Sequence, residues 1–196
     1  ADAAMKAGKW EKKALKGIEL YGKTLGVIGF GRIGRWVARI AKSVGMEVLA
    51  YDPLVTAGRI REQEATPASL DEIYAKSDVI TVHTPLNDKT RNLIGAASIA
   101  KMKSGVMLIN CARGGIVNEN DLCDALDSGQ VGGAALDVFG REPSDNERLR
   151  QYRQVTLTPH IAASTSEAQC KVSVEIAQQV VRFLKDGVVA NAVNMP

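Results

Sequence analysis

The chain has 196 residues, 45% of them apolar and 24% charged. That composition suits one ordinary globular domain, or one large one, with enough apolar mass for a full core. A net charge of +3 is too small to imply nucleic acid, and no apolar run nears the ~18 residues of a membrane span.

Residues 1 to 16 read as helical, rich in Ala and Lys, with Trp10 as an amphipathic anchor. Their lysines, Lys6, Lys9, Lys12, Lys13 and Lys16, read as a solvated helix face plus linker. Thr24-Leu25-Gly26-Val27-Ile28 is the first strand. Gly29-Phe30-Gly31-Arg32-Ile33-Gly34 follows, and Ile33, Val37, Ile40 and Val44 then recur with helical period. Strand, glycine turn and helix are the context in which G-x-G-x-x-G has physical meaning. Gly29 permits the turn, Gly31 lets a pyrophosphate approach the backbone, and Gly34 lets the helix pack on the strand. The N–H groups of Arg32 and Ile33 would face the phosphates. A second strand ends in Asp52, 23 residues past Gly29. A carboxylate there accepts both ribose hydroxyls and repels a 2′-phosphate, which favours NAD over NADP.

Residues 56 to 67 read as polar and irregular, a weak strand and loops, and Ser69 caps a short helix ending by Ser77. Strands follow at 78–83, 106–110, 133–137 and 155–158, with helices at 96–102 and 119–128 between them. A long helix runs from Thr165 to about Asp186 and stops at Gly187. Its stripes Cys170, Val174, Ala177, Val181, Leu184 and Val172, Ile176, Val180, Phe183 predict burial on more than one side. Six strands alternating with helices predict an α/β, Rossmann-type, doubly wound parallel sheet.

Ligands of such sheets bind at the carboxyl ends of the strands. Those ends carry Gly29, Asp52, His83-Thr84-Pro85, Cys111 to Gly115, Asp137 and Pro159-His160. A hydride-transfer site beside NAD needs a cation for an anionic substrate, and Arg113 can supply it. It needs a proton carrier with a pKa near neutral, for which His83 and His160 compete. A carboxylate must orient that carrier, either Asp137 or Glu142. Cys111, Cys123 and Cys170 lack a C-x-x-C pair, so reduced thiols in a cytoplasmic protein are expected. The two histidines have no metal-ligand spacing, and no metal is expected.

These segments together resemble the nucleotide-binding domain of NAD-dependent D-2-hydroxyacid dehydrogenases. The resemblance is carried by Gly8-Lys9-Trp10, residues 19–26, the glycine turn and Val82 to Leu86. It continues through Asn110 to Val117, Gly133 to Phe139, Glu142-Pro143, Thr158-Pro159-His160 and the closing residues 191–196. It implies that Arg113 binds the substrate carboxylate, that His160 is the acid/base, and that Glu142 holds the His160 ring and raises its basicity. Arg32, Ile33, Asp52, Thr84, Pro85, Cys111, Ala112, Arg113, Asp137 and the stretch His160, Ile161, Ala162, Ala163 would line the cofactor. His83 would then have no proton-transfer role, and Cys111 would not be a nucleophile.

The implied reaction is NAD-linked oxidation of a small 2-hydroxy acid. 3-Phospho-D-glycerate, on the route to L-serine, is the expected substrate, and glyoxylate or hydroxypyruvate reduction, or the reaction of another D-2-hydroxy acid, is the alternative. A non-enzymatic alternative is an NAD-sensing corepressor. The resemblance makes residues 1–196 a cofactor domain, with 1–20 a connecting helix and 164–196 a C-terminal helix and return segment. A substrate-binding domain would lie outside this chain, so the chain alone would be inactive. A homodimer through this domain is implied, with a tetramer as the larger assembly. Ala162-Ala163 departs from the Gly-rich sequence common after the histidine.

Overall fold

A computed structural model describes residues 1–192. The end of the closing motif, 193–196, lies outside the described residues. Seven strands are present among them: β1 Thr24–Ile28, β2 Glu47–Tyr51, β3 Thr66–Pro67, β4 Val79–Val82, β5 Val106–Asn110, β6 Val131–Leu136 and β7 Val155–Leu157. All pair in parallel, in the order β3-β2-β1-β4-β5-β6-β7. The expected doubly wound sheet is thus found, with one strand more than expected. The seventh is β3, the weak strand read within 56–67 but not counted among the six, two residues at the sheet edge, where Pro67 removes no ladder donor from a central strand; residues 57–61 of that stretch are helical.

The helices are α1 Asp2–Lys6, α2 Arg32–Ser43, α3 Ala57–Arg61, α4 Leu70–Lys76, α5 Ala96–Ile99, α6 Glu119–Asp127 and α7 Ser166–Asp186. Side chains alternate across each strand, so the sheet feeds two cores. Val27 and Val48 join Phe30, Ala38, Ala41 and Ile60 beneath α2 and α3. Ile28, Ile80, Val82 and Leu108 join Ile73, Leu122 and Leu126 beneath α4, α5 and α6. Each fully buried Ile, Leu or Val there contributes about 1.5–3 kcal/mol. Gly26 lets α4 lie close to β1: a Cβ on it would meet Ile73 Cγ2 and Ser77 Oγ at 2.5 Å. α4 begins with the expected cap, Ser69, in a reciprocal box with Glu72.

Two sequence expectations need correction, on residues 1–16 and on α7. Residues 1–16 are not one helix: α1 ends at Lys6, Gly8 turns to φ +71°, and only a 3-10 turn at Lys12–Ala14 follows. Neither piece buries a residue, and short helices without a packed face are marginal in water. Of the four periodic residues, Val37 packs on the core, while Ile33 and Ile40 on α2 and Val44 at its C-cap are exposed; Gly34, Ala38 and Ala41 face the sheet. The long helix α7 ends as expected at left-handed Gly187, yet buries none of its residues.

Candidate functional site

The strand order reverses between β1 and β4, and a crevice opens at such a switch point. Gly29 stands there at φ +96°, hard against β4: a Cβ on it would lie 2.6 Å from the His83 carbonyl. The His83 N–H donates to the Ile28 carbonyl at 2.7 Å. Gly34 carries α2 onto this turn, since a Cβ on it would overlap the Gly29 carbonyl oxygen. Gly31 is the opposite case, with nothing of the chain within 4 Å of where its Cβ would be. It is the N-cap of α2 and offers no side-chain cap, so the first N–H groups of α2, on Arg32 and Ile33, lack one too. Asp52, at the end of β2, accepts the Phe30 N–H on Oδ2 at 2.7 Å and the Leu54 N–H on Oδ1 at 2.8 Å. Each carboxylate oxygen keeps a lone pair for a further donor. Across the crevice Thr84 Oγ1 is buried without a hydrogen-bond partner. Thr84 leads into the exposed Pro85. An uncapped helix start, a side-chain-free approach and an orphaned hydroxyl fit a dinucleotide.

The end of β5 is shaped by Asn110, a nearly fully buried residue. Its Oδ1 accepts the Ala112 N–H at 3.0 Å and its Nδ2 donates to the Arg113 carbonyl at 2.9 Å. That turn leaves Arg113 exposed, its Nη1 donating to the Ala112 carbonyl at 2.6 Å. Cys111 is exposed in the same turn. Partial desolvation, and then the Asp137 charge, push its thiol upward, away from the thiolate form.

The two carboxylates left open by the sequence have separate tasks. Glu142 Oε2 lies 2.7 Å from His160 Nδ1, and Glu142 Oε1 accepts the Phe139 N–H at 3.1 Å. Hydrogen bonds from His160 and then from Phe139 hold the Glu142 carboxyl below its usual range. Asp137, 3% exposed, turns inward. It accepts from Thr158 Oγ1 at 2.6 Å and from the Ile161 and Ala162 N–H groups at 2.8 Å. Burial alone would raise its pKa; these bonds outweigh it and the net shift is downward. The result is a tight turn through His160, which sits at φ +54°. A non-glycine residue in that region persists only where its surroundings hold it. Ala163 follows this turn and is exposed.

The histidines also separate. His160 is half exposed and opens onto a pocket of ≈ 490 Å³ lined by Phe139, Glu142, Thr158, Pro159 and Arg150. His83 Nε2 pairs with Thr81 Oγ1 at 3.0 Å, and burial depresses its pKa. Sequence reasoning missed the turn-shaping bonds of Asn110 and Thr158, and the bonds of Glu119 to Gly140 and Asn146 in the loop after β6. Asn110 left a signal, a lone amide closing an apolar strand. Glu119 left none, because its partners are 21 and 27 residues away.

Residues 1–162 match the family described as D-isomer specific 2-hydroxyacid dehydrogenase, NAD binding domain. D-3-phosphoglycerate dehydrogenase of Archaeoglobus fulgidus is 49% identical over 197 residues, covering 100% of this chain and 37% of the relative. That of Synechocystis is 46% identical over 196 residues, covering 100% and 35%. The chain thus spans about a third of the length of these relatives. Among solved structures, a glyoxylate reductase from Paecilomyes thermophila superposes with TM-score 0.90 at 35% identity, over 98% of this chain and 58% of that one. An NAD-dependent formate dehydrogenase from Staphylococcus aureus, in complex with NAD, gives 0.87 at 30% identity, over 97% and 57%. With a glycine turn built for a dinucleotide and this match, the chain belongs to the D-isomer specific 2-hydroxyacid dehydrogenase family, as its NAD-binding domain.

Proposed function

We propose that this chain is the cofactor domain of an enzyme that oxidises 3-phospho-D-glycerate to 3-phosphohydroxypyruvate. The Glu142–His160 contact of 2.7 Å carries the catalytic half of this reading. The substrate half is supported by relatives named D-3-phosphoglycerate dehydrogenase at 44–49% identity over the whole chain. NAD, when bound, supplies the nicotinamide ring that takes the substrate's hydride.

The chain's own residues do the rest. Gly31 and the start of α2 receive the diphosphate, and Asp52 accepts the ribose hydroxyls. Thr84, Pro85, Cys111, Ala112, Ile161, Ala162 and Ala163 line the remainder, with Asp137 acting from beneath through the turn it holds. Arg113 grips the substrate carboxylate with its planar fork. Since His160 Nδ1 faces Glu142, its Nδ1–H donates to the carboxylate and Nε2 is the free base. Nε2 takes the hydroxyl proton as the C–H pair leaves as hydride, and the carbonyl forms. Glu142 stabilises the imidazolium so produced.

In the same reading, residues 1–20 and 164–196 connect to a substrate domain. The enzyme is cytoplasmic, a setting suited to the free thiols Cys111, Cys123 and Cys170. Among the described residues no helix is long and apolar enough to cross a membrane. The enzyme pairs as a homodimer through this domain, and the exposed Ile33, Trp36 and Ile40 on α2 are an apolar face available for that contact. The deciding experiment is turnover by the full-length protein on a panel of 2-hydroxy and 2-keto acids with NAD. Preference for 3-phosphoglycerate is expected, and His160→Ala should lose far more turnover than His83→Ala. Preference for glyoxylate, or binding without turnover, would overturn the reading.

A further inference from the structure

Arg113 stands on the loop after β5, and Glu142 on the loop after β6. The two loops meet through backbone. The Phe139–Gly140 peptide lies so close to Gly114 that a Cβ there would overlap the Phe139 carbonyl. The N–H of the same peptide, on Gly140, donates to Glu119 Oε1 at 2.7 Å. The other oxygen of that carboxylate, Oε2, accepts from Asn146 Nδ2 at 3.2 Å. One carboxylate therefore grips both ends of segment 140–146, and Glu142 lies between the two grips.

Glu119 is itself firmly based. It begins α6, whose Leu122, Cys123 and Leu126 are buried in the core. At the far end of α6, Asp124 and Asp127 hold Arg148 at 2.9 and 2.8 Å. The loop after β6 is thus tied along the whole of α6. Charge-assisted hydrogen bonds of this kind are short and about twice as strong as neutral ones. The segment they hold is otherwise largely exposed, with Arg141, Glu142, Pro143 and Asp145 all open to solvent.

We infer that Glu119 is a positioning residue for the reaction proposed above, and the inference rests on that reading. Its carboxylate fixes the Phe139–Gly140 peptide against Gly114. That sets Glu142 in one geometry against His160 and keeps both in register with the Arg113 turn. The linkage is continuous: Glu119 holds Gly140, the Phe139 N–H holds Glu142 Oε1 at 3.1 Å, and Glu142 Oε2 holds His160 at 2.7 Å. Glu119 acts only through these groups.

The test uses the full-length enzyme with four variants: Glu119→Ala, Glu119→Gln, Glu142→Gln and the Glu119→Ala/Glu142→Gln double. A misplacement near 1 Å at a catalytic group lowers turnover by about a hundredfold, so Glu119→Ala should lower kcat about ten- to a hundredfold. NAD affinity, by calorimetry, should stay at the parental value. Glu119→Gln keeps an oxygen for the Gly140 N–H but turns an amide donor toward Asn146 Nδ2, so it should recover part of the loss. In the double variant Glu119→Ala should add little to Glu142→Gln, because both act through one linkage. A parental kcat in Glu119→Ala, no recovery in Glu119→Gln, or losses that multiply in the double variant would each overturn the inference. If Glu142→Gln keeps full turnover, the reading of the site itself falls, and the inference with it.

Discussion

Two glycines of the site make opposite demands. Gly31 is backed by empty space at an ordinary φ of −73°, so Gly31→Ala should fold as the parent does. Its stability should change by less than about 0.5 kcal/mol. Its methyl group would stand where the diphosphate is proposed to lie, so NAD affinity should drop about tenfold or more, worth about 1.4 kcal/mol per decade. Gly114 is backed by the Phe139 carbonyl. Gly114→Ala must displace backbone and should lose about 1–3 kcal/mol of stability, as overpacking does. Thermal unfolding and calorimetry on both variants separate the two cases; a destabilised Gly31→Ala would mean that the cradle is not open.

Asp137 gives the pH signature. Its folded-state pKa is depressed, burial being outweighed by the bonds from Thr158, Ile161 and Ala162. A depressed carboxylate adds stability that is complete above its unfolded pKa of about 3.9. That stability is lost as pH falls through the folded value. Asp137→Asn keeps one accepting oxygen and turns an amide donor toward backbone donors. It should cost about 2–3 kcal/mol at neutral pH, the range of a hydrogen bond to a charged group. It should also flatten the acid limb of the stability curve. Denaturant titrations from pH 3 to 7 check both, and an unchanged acid limb would mean that Asp137 is not the group protonated there.

At the scale of elements, the sequence carried the fold well where local chemistry decides it. Strand ends, the Ser69 cap and the Gly187 stop are all written in residues that do their work within a few positions. What was not legible was which face of a helix is covered. In α2 the wide residues look like the core face, yet the sheet wants small ones, because Gly34 must reach the Gly29 carbonyl. The same holds for α7, where a periodic pattern states amphipathicity and not its partner. Site legibility followed the same line. The glycine turn and the strand-end polar groups were visible, but the choice of Glu142 over Asp137 depends on how one loop folds back onto another. The outward face of α2, with Ile33 at 67%, Trp36 at 61% and Ile40 at 61% exposure, bears on the proposed dimer. Trp36→Glu and Ile40→Lys should leave unfolding within about 0.5 kcal/mol of the parent. They should weaken self-association in the full-length protein, read by sedimentation. Dimers of undiminished strength would remove α2 from the interface.

At the scale of the whole molecule, binding and turnover should separate in the 196-residue chain. The groups proposed to hold the diphosphate and ribose come from β1, α2 and the end of β2, and those proposed to line the rest from the turns after β4, β5 and β7, strands of one sheet. They need nothing beyond this fold, so the chain alone should bind NAD. The proposed reacting groups are differently situated. Arg113 is exposed, and the His160 side chain is 50% and that of Glu142 38% exposed. In water their hydrogen bonds and charge act at high dielectric, where each is worth a fraction of its value in a closed site. Substrate held from one side also gains little of the orientation that makes transfer fast. Purified 1–196 should therefore bind NAD in calorimetry yet reduce it with 3-phosphoglycerate at least about a hundredfold more slowly than the full-length enzyme. Comparable turnover by the two would mean that this face of the sheet suffices for the reaction, and that closure by a second domain contributes nothing to it.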